Sequence, residues 1–113
     1  MFDCNRYNTY SLDEKGKITD FGRNKNIFPG SILPVNTISC GYDHCLALIS
    51  DGTIIEWGTN APYLKLPSDL RFVAIKAGYL KSYAIAYDGD ICKWGLNEPF
   101  VKIAKDIPNY ILK

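Results

Sequence analysis

Gly41-Tyr42-Asp43-His44-Cys45-Leu46-Ala47-Leu48, followed by Asp51-Gly52, Trp57-Gly58 and Asn60, recurs 37 residues later. The second copy reads Gly78-Tyr79-Leu80-Lys81-Ser82-Tyr83-Ala84-Ile85, then Asp88-Gly89, Trp94-Gly95 and Asn97. A shift of 36 in the other direction finds a worn copy: Tyr10-Ser11-Leu12, Lys15-Gly16, Phe21-Gly22 and Asn24. A period of this size marks a repeat architecture. One such unit cannot bury its apolar face alone and must stack on its neighbours. The spacing predicts a single repeat domain over residues 1–113, in units of about 1–36, 37–73 and 74–113.

Within a unit the patterning is that of short antiparallel strands. Phe72 to Ala77 is apolar and partly β-branched, and Gly78 ends it. Ser82 to Tyr87 reads as a second strand. The Asp88-Gly89 pair, which tolerates positive φ, turns it into a third strand at Asp90 to Trp94. Phe100 to Ile103 follows Pro99 and suits an outer edge strand. The second unit repeats the order with strands at Thr37 to Cys40, Cys45 to Ile49 and Thr53 to Trp57. No capped segment of helical period is present, so the expected class is all-β. Three or four strands per unit make a β-propeller blade. In that setting Trp57 and Trp94, and less fully Phe21, are expected to fill the wedges between blades. Leu46, Leu48, Ala84 and Ala86 are expected in the core. Asn24, Asn60 and Asn97 are expected to close turns.

The bulk properties exclude several function classes. The composition is globular, with 47% hydrophobic and 22% charged residues. A net charge of +1 offers no global attraction to nucleic acid or to an anionic membrane. No run approaches the roughly 18 apolar residues of a membrane span. The polar start, Met1-Phe2-Asp3-Cys4-Asn5-Arg6, lacks the apolar run of a signal peptide. Cys4, Cys40, Cys45 and Cys92 form neither a disulfide framework nor a CxxC pair. Free thiols fit a reducing compartment, cytoplasm or nucleus. Lys outnumbers Arg, and Asn, Ile and Tyr are abundant, as an AT-rich genome produces. That mix admits a structural role in a large virus-like particle.

The motif Gly-Tyr-Asp-His-Cys-Leu-Ala-Leu-(x)2-Asp-Gly-(x)4-Trp-Gly-(x)-Asn resembles the signature repeat of the regulator of chromosome condensation family. The resemblance implies a β-propeller, commonly of seven blades. The short period is similar to a compact bacterial version that inhibits β-lactamases. The family histidine is kept as His44, whereas Lys81 and Asn8 stand there in the other units, and Asn5 replaces the glycine of Gly41 and Gly78. The resemblance implies binding rather than catalysis: nucleotide exchange on a small GTPase, chromatin contact, enzyme inhibition or scaffolding. Exchange itself depends on a face built from many blades and a projecting loop, which three compact repeats do not show.

The candidate chemistry is thin. His44 beside Cys45 suggests a nucleophile pair or, with Cys40 and Cys4, a zinc site. Neighbouring strand residues point to opposite faces, however, and zinc sites want closely spaced ligand pairs. Asp51 and Asp88 read as turn residues. Eight tyrosines without a basic stripe make a poor platform for single-stranded nucleic acid. Tyr42 and Tyr79 occupy equivalent loops between first and second strands, where rigid β scaffolds carry binding residues. Tyr42, Asp43, Tyr79 and Leu80 are therefore the candidate partner-binding residues, with simple loop packing as the other reading.

The expected function is a non-catalytic module for protein–protein interaction or assembly, without metal or cofactor. The alternative is a regulator of a small GTPase or an inhibitor of another enzyme. Three blades cannot close a ring, since propellers typically have about 4–8. Completion by a partner or by oligomerisation is expected, the other reading being an arc that stays open inside a larger assembly. Residues 107–113 match 70–76, so a strand there is expected to complete the first blade of another copy. Two chains joined head to tail would form a six-bladed homodimeric ring.

Overall fold

The computed structural model of the chain describes residues 1–22, 28–58, 69–95 and 98–103. These form ten strands in three antiparallel sheets. Blade 1 is β1 (Phe2–Cys4), β2 (Asn8–Leu12) and β3 (Ile18–Gly22). Blade 2 is β4 (Val35–Cys40), β5 (His44–Ile49) and β6 (Ile54–Gly58). Blade 3 is β7 (Phe72–Ala77), β8 (Lys81–Ala86), β9 (Ile91–Gly95) and the outer β10 (Glu98–Ile103). The strands follow the expected ones within about two residues at their ends. The expected turn roles of Asn24, Asn60 and Asn97, and the expected strand at 107–113, lie outside the described residues.

Register repeats with the sequence. Thr9 pairs with Phe21, Cys45 with Trp57 and Ser82 with Trp94. An irregularity recurs at the same place in β4 and β7, between Val35 and Thr37 and between Phe72 and Ala74. The hairpins between second and third strands turn through Gly16, Gly52 and Gly89, at φ of 81°, 89° and 94°, where a Cβ would be strained. Asp51 Oδ1 accepts from the Thr53 amide at 3.0 Å, and Asp88 Oδ1 from the Asp90 amide at 3.1 Å, as expected of turn residues.

The same hairpins seat the next blade. The Gly16 carbonyl accepts from the Val35 amide at 2.9 Å, and the Gly52 carbonyl from the Phe72 amide at 2.8 Å. A second device recurs at the first strands. Asp3 Oδ2 accepts from the Cys40 amide and Ser39 Oγ from the Ala77 amide, each at 2.9 Å. Each blade thus offers a trailing face to the leading face of the blade after it.

Alternation of side chains along β5 divides the core in two. Cys45, Ala47 and Ile49 point back to Tyr10 and Leu12 of blade 1, with Trp57. Leu46 and Leu48 point forward to Phe72, Ala84, Ala86, Cys92 and Trp94. Leu46, Leu48, Trp57, Ala84, Ala86 and Trp94 are all buried, as the repeat required. Phe21 differs: it is 55% exposed and fills no wedge between described blades. Each wedge aromatic packs backward on the preceding blade, and Phe21 stands on the leading face of the first one.

Candidate interaction face

Three equivalent turns, each joining a first strand to a second, meet at one end of the blades. In each, an amide closes on a carbonyl three residues on: Asn5 to Asn8 at 3.1 Å, Gly41 to His44 at 2.8 Å and Gly78 to Lys81 at 2.8 Å. The turns pack so closely that a Cβ at Gly41 would overlap the carbonyl oxygen of Gly78. Gly41→Ala is therefore expected to cost about 1–3 kcal/mol, because the clash is with backbone that cannot rotate away. Urea unfolding checks this, and an unchanged midpoint would show that the turns do not touch.

This packing brings Tyr42 and Tyr79 together, their ring centroids 5.3 Å apart. The row continues into blade 1. The Arg6 guanidinium carbon lies 4.8 Å from the Tyr42 ring centre and 4.7 Å from that of Tyr7. The Arg6 amide donates to the Tyr42 carbonyl at 3.1 Å, and Arg6 Nη1 to the Tyr42 hydroxyl at 3.4 Å. Arg6, Tyr42 and Tyr79 are successive copies of one repeat position, so one rim position stacks cation, ring and ring across three blades. Tyr42 is 46% and Tyr79 68% exposed.

The other two candidates play different parts. Asp43 turns inward, nearly fully buried, and its carboxylate pairs with Arg6. It holds the rim arginine in place from below, so it is not itself part of the exposed surface. Leu80 is half-buried and has a φ of 57°, the only positive value outside glycine among the described residues. Left-handed backbone costs a branched side chain roughly 1–2 kcal/mol, here sustained by the turn. Sequence reasoning passed over Arg6. The available signal was its alignment with Tyr42 at an offset of 36, hidden because the residue type changes.

His44 and Cys45 do point to opposite faces. Cys45 joins the core behind it, while His44 Nε2 lies 2.9 Å from Ser82 Oγ on the next blade. Ser82 Oγ donates to Glu56 Oε2 at 2.7 Å, and Trp94 Nε1 lies 3.1 Å from both Glu56 oxygens. The Ser82 proton is thus committed to a carboxylate, which leaves His44 Nε2–H as donor to Ser82. Burial pushes the His44 pKa down, against a smaller opposing pull from the Lys81 backbone and Asp43. His44 is 1% exposed, Ser82 has no exposure and Glu56 is half-buried, so histidine, serine and glutamate form a largely buried cross-link between blades. Among the described residues no group of three His, Cys, Asp or Glu side chains is placed to hold a metal ion.

The backbone is similar to that of solved propellers. Prp20p from Saccharomyces cerevisiae superimposes on 94% of this chain with a TM-score of 0.72 and 15% identity. Yeast RCC1 (Prp20) in complex with Kap60 matches 97% of it at 0.61 and 21% identity. The chain folds as an RCC1-like β-propeller segment. Human WBSCR16 matches 87% of it at 0.66 and 12% identity. The segment spans 33–38% of the length of these three propellers. No protein-family model and no curated protein matches the sequence itself.

Proposed function

We propose that this propeller segment is a non-catalytic protein-interaction module that receives its partner on the Arg6–Tyr42–Tyr79 rim. The observation that carries the reading is the continuity of that row. Three loops from three blades present one cation and two exposed rings in mutual contact, held from below by Asp43. Tyrosine and arginine are the side chains that anchor protein interfaces, because they bury much area with few rotors. The fold supports the same class. Prp20p was characterised for its binding to Gsp1p and histones, and was solved bound to Kap60.

The test compares the wild-type chain with a Tyr42→Ser/Tyr79→Ser double variant as affinity baits, with circular dichroism to confirm equal folding. The expected result is a partner retained by wild type and lost, by tenfold or more, from the variant. Identical captured proteins on both baits would overturn the reading. Regulation of a small GTPase is the narrower alternative and rests on the family resemblance. A GTPase among the proteins lost from the variant, whose nucleotide release the wild-type chain alters, would select it.

A further inference from the structure

Both junctions between blades obey one rule. On the trailing side, a side chain of the second strand packs under the next blade's wedge aromatic: Tyr10 meets Trp57 edge-on at 5.4 Å, and Leu46 lies with Trp94 in the second core. The polar part is a trailing-face acceptor for the leading amide at both junctions, and for the indole N–H at the second. Asp3 and Ser39 receive the Cys40 and Ala77 amides. Glu56 receives the indole N–H of Trp94.

The two outer faces break this rule in matching ways. On the trailing face of blade 3, Lys76 stands where Asp3 and Ser39 stand in the other blades, Lys93 where Asp20 and Glu56 stand, and Tyr83 where Tyr10 and Leu46 stand. Register places Lys76, Tyr83 and Lys93 side by side across β7, β8 and β9. A lysine accepts no hydrogen bond, so at these three positions the face offers no acceptor for an unmet amide or an indole N–H except the Tyr83 hydroxyl. The leading face of blade 1 brings neither. Phe21 occupies the tryptophan position and has no N–H. The Cys4 amide, the counterpart of Cys40 and Ala77, is already bonded to Asp3 Oδ1 at 2.9 Å. The donors are missing on one face where the acceptors are missing on the other. Phe2 and Phe21 are 74% and 55% exposed there, and Tyr83 is 37% exposed opposite.

We infer that the trailing face of blade 3 docks on the leading face of blade 1 of a second copy of this chain, with Tyr83 against Phe21 as Tyr10 is against Trp57. The aliphatic stems of Lys76 and Lys93 cover apolar surface while their ammonium groups reach solvent at the rim of the contact. The contact is heterologous, and two copies repeating it about a two-fold axis close six blades into a ring. The inference rests on the blade junctions and not on which partner the loop rim takes.

Sedimentation of the wild-type chain, with Phe21→Glu and Tyr83→Glu variants, tests it. Both sites are exposed, so the variants are expected to fold, which circular dichroism checks. Wild type is expected at twice its 12.7 kDa mass, and each variant alone at the monomer mass. An equimolar mixture of the two is expected to associate more than either variant alone, because the intact trailing face of the Phe21→Glu chain meets the intact leading face of the Tyr83→Glu chain and restores one of the two contacts. A monomeric wild type overturns the inference. So does a dimer that both variants leave intact, or a mixture that associates no more than either variant alone.

Discussion

Trp94→Ala is expected to lower the free energy of unfolding by about 3–5 kcal/mol, the range for deleting a large buried aromatic. Trp94 has no exposure and lies at the centre of the core between blades 2 and 3. Its ring also meets Phe100 of the outer strand at 5.9 Å, so the truncation loosens both the junction and the edge of the last sheet. Urea melts followed by circular dichroism measure the loss. A value under about 1 kcal/mol would mean that blade 3 does not stack on blade 2. A gentler pair of substitutions isolates the polar part. Trp57 Nε1 is buried without a hydrogen-bond partner among the described residues, whereas Trp94 Nε1 is held by Glu56. Trp94→Phe is therefore expected to cost about 1–2 kcal/mol more than Trp57→Phe, since only the former deprives a half-buried carboxylate of a donor.

Glu56→Ala is expected to cost about 2–4 kcal/mol, because it leaves Trp94 Nε1–H buried without an acceptor and turns the Ser82 hydroxyl from a carboxylate to His44 Nε2, 2.9 Å away. Glu56→Gln keeps an acceptor and should cost less. The pH dependence separates charge from hydrogen bonding. Burial raises the Glu56 pKa above 4.5, and the hydrogen bonds from Ser82 and Trp94 only partly oppose this. A carboxyl whose pKa is raised on folding holds more protons folded than unfolded. Its contribution to stability is therefore full below the unfolded pKa and is lost as pH rises through the folded value. Relative to wild type, Glu56→Gln should gain stability as pH climbs above 4.5, then level off once Glu56 is ionised in the folded state. A flat difference between the two melting series would place the carboxylate in water instead of in the junction.

The repeat offset carried much of this architecture in the amino-acid sequence alone. Strand identity and register followed from equivalent positions, because the paired β hydrogen bonds and Asp-Gly turns depend on residues a few places apart. The buried tryptophans followed for the same reason. Direction did not. Phe21 aligns with Trp57 and Trp94, yet it lies exposed, because wedge side chains point backward and only the stacked sheets reveal which way that is. Asp43 and Tyr42 are sequence neighbours in a loop, and nothing in their spacing shows that one turns under the rim to hold Arg6 while the other stays at the surface.

The sequence by itself determined the all-β blades, their number, their turns and the apolar positions of the core, since these arise from local chain geometry and alternation. Only the tertiary structure decided which side chains meet between blades. It joined Arg6, Tyr42 and Tyr79 into one rim, tied His44, Ser82 and Glu56 into a cross-link, and separated the faces that are covered from those that are not. Those contacts link residues some 36 to 38 positions apart or drawn from different blades. Their energies depend on how one sheet lies on the next, which no local pattern specifies.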